Sequence, residues 1–451
     1  MKTTPINPWA ARFKHLLERE VIRQRSAVDP EPLKGLMQMN VEVACRKLEG
    51  ALEELFYPSG QCLDMLEKWV GMIYAHCLTI YPDNKKYLQG INDEMPPLPS
   101  FRPPVCLTGL PGTGKSALFK ALQRLLPAPS EIEVGSGYNP IPCQSYWYFT
   151  INASAAPSDL LIPFCGGKDI LKNLVKTGRK LAFRNGVPIF IADELQHATA
   201  SSTANTRITQ MLLSVGYLGI PFVFGANYSL IYRLMQRPDE DQQRLLADID
   251  VLLPDDPESE DWIEMLTAQK RIAPDVFAFD PKKDGPAIHG YCAGIKREEK
   301  YLLLAAFRIA HSRKTKVTLD VLREAYLSSQ YSPHRSRVEM LLRIALEPVQ
   351  TSRSSQQERT DLRCPVALPE GALAKITHPM KRHRKAMVAD NKLESSMTPE
   401  ELALHQWDTQ HNQNHAEKKP IRGMTKRSRA DSAEDLKNNS NWYKKRILTA
   451  R

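Results

Sequence analysis

The sequence predicts an α/β protein with a mainly parallel five-stranded sheet, preceded by a helical region and followed by a helical lid and a basic tail. Three observations carry this. Five short apolar runs alternate with helical stretches between Val105 and Pro254; apolar residues recur at three- and four-residue steps on either side; and from about Glu347 that periodicity gives way to Ser, Gln, Asn, Lys and Arg.

The first hundred residues read as helices. In NVEVACRKLEGALEELF, residues Val41, Ala44, Cys45, Leu48, Leu52, Leu55 and Phe56 share a stripe that PSG at 58–60 ends, and Leu66, Trp69, Val70, Ile73, Cys77 and Ile80 make a second. The stretch NDEMPPLPSFRPP, with five prolines, can continue neither a helix nor a central strand, so it marks a boundary near residue 100. The expected strands are VCLTG (105–109), YWYFTINA (146–153), VPIFIAD (187–193), IPFVFGAN (220–227) and ADIDVLLP (247–254), which gives an α/β domain over 101–255. EMLTAQKRI, REEKYLLLAAFRIAHSR and TLDVLREAYLS then read as a helical lid over 256–346. Residues 347–451 are expected to be largely disordered, with short segments such as TPEELALHQW able to fold on a partner. The sequence contains no internal repeat.

Composition narrows the class. With 42% apolar and 25% charged residues in 451, the chain can bury substantial cores, and its longest apolar runs fall far short of the roughly 18 to 20 residues a membrane span needs. The N-terminus lacks the apolar segment of a secretory signal, so a cytoplasmic protein without a membrane partner is expected. Eight scattered cysteines, none in a C-x-x-C pair, read as reduced core residues. The net charge of +10 sits mostly in the tail, where residues 351–451 hold 20 Lys or Arg against 12 Asp or Glu. Such a tail suits nucleic acid, and equally a solubilising or partner-docking role.

The chemistry concentrates in LTGLPGTGKSALFK, which fits G-x-x-x-x-G-K-S as Gly109, Gly114, Lys115 and Ser116 between a strand and a helix-compatible run. Glycines let such a loop aim its N–H groups at phosphate oxygens while the following helix offers its positive end. Gly112, Thr113 and Ala117 belong to the same expected nucleotide cradle. Lys115 would meet the β and γ phosphates of ATP, and Ser116 would offer a hydroxyl to Mg²⁺. A second strand end, VPIFIADE, supplies Asp193 for the metal shell and Glu194 to orient or deprotonate the attacking water. In PFVFGAN, Asn227 ends the next strand, where it can fix the lytic water and sense the γ phosphate.

This succession of P-loop, Asp-Glu, terminal Asn and helical lid resembles the AAA+ ATPases over roughly residues 101–345. The resemblance implies an AAA+ P-loop NTPase working as a ring or helical filament, in which an arginine of one subunit completes its neighbour's site. The family pattern puts that arginine just before the fifth strand, where Arg244 stands, with Arg233 and Arg237 as competitors; Lys296 and Arg297, after Gly294, loosely match a lid sensor. Within the superfamily the chain looks most like the TnsC/TniB class of transposition regulators, functional kin of MuB and IstB. VCLTGLPGTGKS, IFIADELQHA, TRITQMLLSVGYLGIPFVFGANYSLIYRLMQR and YLLLAAFRIAHSRKTKVTLDVLREAY carry the likeness. It implies assembly on double-stranded DNA with ATP, a link from a target-selection protein or RNA-guided complex to the transposase, and disassembly on hydrolysis. The long helical N-terminal region and the basic tail depart from the short members of that class.

A DNA-facing stripe is expected from GGKDILKNLVKTGRKLAFR, whose Lys168, Lys172, Lys176 and Lys180 recur every four residues, with Arg179 beside them. Two rival readings are a protein-remodelling ATPase, with Phe164 of IPFCGG as a gripping aromatic, and a nucleotide-gated signalling scaffold.

Overall fold

The computed structural model describes residues 7–135, 137–150, 156–167, 169–193, 204–346 and 362–366. Among the described residues five α-helices come first: α1 (Pro8–Lys14), α2 (Arg19–Ser26), α3 (Val41–Glu54), α4 (Gly60–Ile80) and α5 (Asn84–Asn92). Local chemistry starts them. Asn7 accepts from the Ala10 amide with Pro8 at the first helical position, and Asp83 accepts from the Lys86 amide.

Next come β1 (Val105–Gly109), α6 (Lys115–Leu125), the short strands β2 (Ser130–Ile132) and β3 (Ile141–Cys143), and β4 (Trp147–Thr150). Beyond them lie α7 (Ile162–Cys165), α8 (Leu171–Arg184), β5 (Phe190–Asp193), α9 (Ala204–Gly216), β6 (Phe222–Ala226), α10 (Tyr228–Leu234), α11 (Asp239–Leu245) and β7 (Asp248–Leu252). Strands β4-β5-β6-β1-β7 form one sheet in that order, and every pairing is parallel. Each of the five contains or lies within an expected run. Strands β1, β5 and β6 are buried throughout, as parallel strands covered on both faces must be, which is why they read as continuous apolar runs. The antiparallel pair β2–β3 was not expected, because three residues per strand give periodicity too little to show.

The edge strand β7 carries Asp248 and Asp250 two residues apart, hence on one face. Helix α4 meets that face: Lys68 Nζ lies 2.6 and 2.8 Å from the two carboxylates, and Trp69 Nε1 donates to Asp250 at 3.0 Å. Residues from α1, α2, α4 and α5 thus join the core of the sheet, where Trp9, Phe13, Trp69, Tyr81 and Tyr87 are buried with Phe119 and Phe183. Helix α3 goes elsewhere. Its Ala44, Cys45, Leu48 and Leu52 pack into a second core with the lid helices α12 (Glu260–Ile272), α13 (Pro281–Cys292), α14 (Lys296–Arg313) and α15 (Leu319–Leu327). A last lid helix, α16, spans Ser332–Leu346. The helical N-terminal region therefore straddles both cores.

All eight cysteines are free, six of them buried. Among the described residues no helix is long and apolar enough to cross a membrane. Apart from 362–366, the basic tail lies outside the described residues.

Candidate nucleotide site

Parallel pairing places the C-terminal ends of β1, β6 and β5 side by side, the edge where α/β sheets gather their ligand groups. From them emerge Gly109 and the loop to α6, then Asn227, then Asp193. In the loop, Gly112 and Gly114 have φ of +93° and +109°, a region that L side chains rarely adopt. Thr113 is buried, and its hydroxyl donates to the Leu110 carbonyl at 2.9 Å. Lys115 is also buried and folds over the turn, donating from Nζ to the carbonyls of Gly109 at 2.9 Å and Leu110 at 3.0 Å. Ser116 and Ala117 follow in the half-buried first turn of α6, an eleven-residue helix whose N-terminal dipole points into the loop.

Asp193 closes β5 at 4% exposure. Asn227 precedes α10, which its side chain does not cap, and it is half-buried between the ends of β6 and α10. Lys115, Ser116, Asp193 and Asn227 thus come to one edge. Glu194 lies outside the described residues.

The lid presses on the loop. The Arg297 amide donates to the Gly112 carbonyl at 3.2 Å, and a Cβ on Gly112 would stand 2.8 Å from Arg297 Cβ and 3.0 Å from Ile295 Cγ2. Leu110, Tyr228, Ile295, Leu341 and Leu362 form a small apolar cluster there, so residues of 362–366 also reach the loop. Lys296 Nζ is 3.9 Å from the buried Asp255 carboxylate, at the joint between sheet and lid. Burial pushes the Asp255 carboxyl up despite that lysine, and lifts Glu299, in the first turn of α14, to about 8. Burial works against the charge of Lys296, but Asp255 and neighbouring acidic groups outweigh it and raise its pKa.

Arg337, which sequence reasoning missed, donates to the Pro111 carbonyl at 3.1 Å. No local signal marks it: 226 positions separate the two residues, and SPHRSRVEM reads as any polar helix surface.

The other expected residues are dispersed. Arg244 sits on α11 just before β7, where Tyr217 OH (3.2 Å), Glu240 (2.9 Å) and the Phe101 ring (5.6 Å) hold it within its own chain. Arg237 pairs with Asp241 at 3.2 Å, and Arg233 lies on α10. Lys172, Lys176 and Lys180 are exposed along α8, with Lys176 2.8 Å from Glu94. Lys168 falls outside the described residues, and α8 begins only at Leu171. Arg179 turns inward instead, donating to the carbonyls of Pro99, Tyr217 and Leu98 at 2.7, 2.7 and 2.8 Å. Phe164 stacks on Trp147 (centroids 4.7 Å apart) and meets Phe190 edge-on.

No family model matches the chain, and no curated protein does. Among solved structures it is similar to PCH-2 of C. elegans, with 13% identity over 64% of this chain and 73% of that one and a TM-score of 0.33. It is also similar to the Aeropyrum pernix ORC1 protein, solved in complex with DNA, with 16% identity over 82% of this chain and 87% of that one and a TM-score of 0.34. Scores this low carry no argument. The functional reading rests on the site's own residues.

Proposed function

We propose that the chain is an AAA+ ATPase that regulates DNA transposition: it oligomerises on double-stranded DNA with ATP, links a target-selection protein or RNA-guided complex to the transposase, and disassembles on hydrolysis. The observation that carries the ATPase reading is the meeting of the Gly109–Ser116 loop, Asp193 and Asn227 at adjacent strand ends beneath a lid bonded to Gly112.

The donor set fits Mg²⁺ and ATP. A buried lysine, a helix N-terminus and a loop with two positive-φ glycines suit a triphosphate, while a hydroxyl and a carboxylate are the hard oxygen ligands Mg²⁺ prefers. When bound, Mg-ATP supplies the phosphoanhydride to be cleaved. Lys115 would neutralise charge on the β and γ oxygens, Ser116 and Asp193 would hold the metal, Asn227 would orient the attacking water, and Glu194 would take its proton. Lys296 and Arg297 would report the nucleotide to the lid, and Arg244 is the proposed contribution to a neighbouring subunit's site.

The DNA reading is supported by Lys172, Lys176 and Lys180, exposed at four-residue spacing on one face of α8. Contacts of this kind hold phosphate without reading sequence, as suits a protein whose targets are chosen by another factor. A protein-gripping role for Phe164 has less support, since its ring is engaged by Trp147 and Phe190.

Negative-stain imaging with duplex DNA and a nonhydrolysable ATP analogue tests the reading: salt-sensitive, nucleotide-dependent assemblies are expected, and assembly or hydrolysis indifferent to DNA would defeat it. Lys115→Ala should abolish assembly, whereas Glu194→Gln should leave the protein trapped on DNA. A scaffold that hydrolyses almost nothing would scarcely respond to the second change.

A further inference from the structure

The Gly109–Ser116 loop is held by the lid as well as by its own lysine. Two successive carbonyls point to lid donors, Gly112 to the Arg297 amide at 3.2 Å and Pro111 to the Arg337 guanidinium at 3.1 Å. Only the second is a side chain, so only it can be removed by substitution. Arg337 stands on α16, whose N-terminal end is fixed by Tyr331 OH donating to the carbonyls of Tyr291 (3.0 Å) and Glu298 (3.1 Å). Behind it lies the Glu298 carboxylate, 1% exposed, with one oxygen 2.5 Å from His334 Nδ1 and the other 3.5 Å from Arg337. Among the described residues that second oxygen has no hydrogen bond, and the guanidinium pairs with it as a counter-charge.

We propose that Arg337, tethered by buried Glu298, is a positioning residue of the nucleotide loop, fixing the Pro111 peptide so that the Gly112 N–H is aimed before nucleotide arrives. The physical reason is peptide planarity: in a trans peptide C=O and N–H point in opposite directions, so anchoring the Pro111 oxygen on one side fixes the Gly112 N–H on the other. Preorganising a donor removes part of the ordering cost of binding. The inference rests on the nucleotide-site reading above.

The test uses the full chain. A fluorescent nonhydrolysable ATP analogue is titrated into wild type, Arg337→Ala, Arg337→Lys and Glu298→Gln, with melting of each protein in the absence of nucleotide and steady-state turnover alongside. Arg337→Ala should raise Kd and KM about tenfold, the scale of one charge-assisted hydrogen bond, and leave kcat within about twofold. Arg337→Lys should recover part of the affinity, since an ammonium can reach one partner but lacks the fork that spans both. Glu298→Gln should fall between, because it leaves the arginine its bond to Pro111 and removes its tether. Wild-type affinity in Arg337→Ala, with or without a lowered melting temperature, would show that the arginine merely pins α16 and overturn the proposal. Should Arg337→Ala not fold, unchanged Kd in both Arg337→Lys and Glu298→Gln would overturn it equally. Absence of binding by wild type would instead remove the nucleotide reading itself, and this inference with it.

Discussion

Gly225 and Asp193 stand in a relationship of space: a Cβ on Gly225 would lie 2.9 Å from Asp193 Oδ1 and 2.8 Å from Phe119 Cε2. The glycine sits within β6, where its backbone conformation is unexceptional, so what it supplies is room for the carboxylate of the neighbouring strand. Gly225→Ala is expected to displace Asp193 and Phe119, destabilising the fold by about 1–3 kcal/mol as overpacking does. It should also weaken Mg²⁺-dependent ATP hydrolysis more than nucleotide binding. A Mg²⁺ titration of turnover, set beside a thermal melt, checks this; a shifted melt with an unchanged Mg²⁺ requirement would mean the carboxylate has no metal role.

Arg179 should matter for folding rather than for DNA. Arg179, at 6% exposure, joins three backbone carbonyls from two segments, and removing it takes a donor from all three, including the buried bond to Leu98. Arg179→Ala is expected to cost about 2–4 kcal/mol in denaturant unfolding. DNA affinity of the folded fraction should stay at the wild-type level.

The converse holds for Lys172, Lys176 and Lys180. Their exposure leaves little folding energy to lose, so replacing all three with Glu should change stability by no more than about 1 kcal/mol. Duplex binding should weaken, and the slope of log affinity against log salt should flatten by about 0.9 for each phosphate contact removed. An unchanged slope would place the DNA surface elsewhere, with the basic tail the next region to test.

Glu299 gives a pH dependence with a definite sign. Burial raises its carboxyl from the ordinary 4.5 to about 8, with Asp255 adding to the rise and nearby Gln269 and Lys296 opposing it. The folded chain therefore holds a proton that the unfolded chain has released, and this contribution is full below 4.5 and lost as pH rises toward 8. Asp255, also raised, acts in the same direction. Burial depresses His289 to about 4 and His76 to about 3, so their contributions are lost as pH falls below the ordinary 6.5. Between pH 6.5 and 8 the Glu299 carboxyl acts without opposition from these histidines, and stability should decline. Glu299→Gln should flatten that decline, as melting temperatures across the window would show.

Much of the site was legible because its groups lie close along the chain or at the ends of apolar runs. Gly109, Gly114, Lys115 and Ser116 fall within eight residues, and Asp193 and Asn227 each come at the end of a short apolar run that reads as a buried strand. Arg179 falls off the four-residue lysine stripe: its position one residue from Lys180 turns it to the buried face, where carbonyls of the Pro-rich segment take it up. Arg337 could not be read at all, since its role depends on a loop 226 residues away.

The sequence by itself determined the five strands, the glycine-rich loop after the first of them and the carboxylate and amide at the ends of successive strands. Each is encoded in local periodicity and in residue types with narrow conformational or chemical roles. Tertiary structure alone decided the strand order, the division of the N-terminal helices between two cores, the space Gly225 leaves for Asp193 and the hold of Arg297 and Arg337 on the loop. Those are contacts between distant segments, fixed by how whole apolar faces find cover, and no short window of sequence contains both partners.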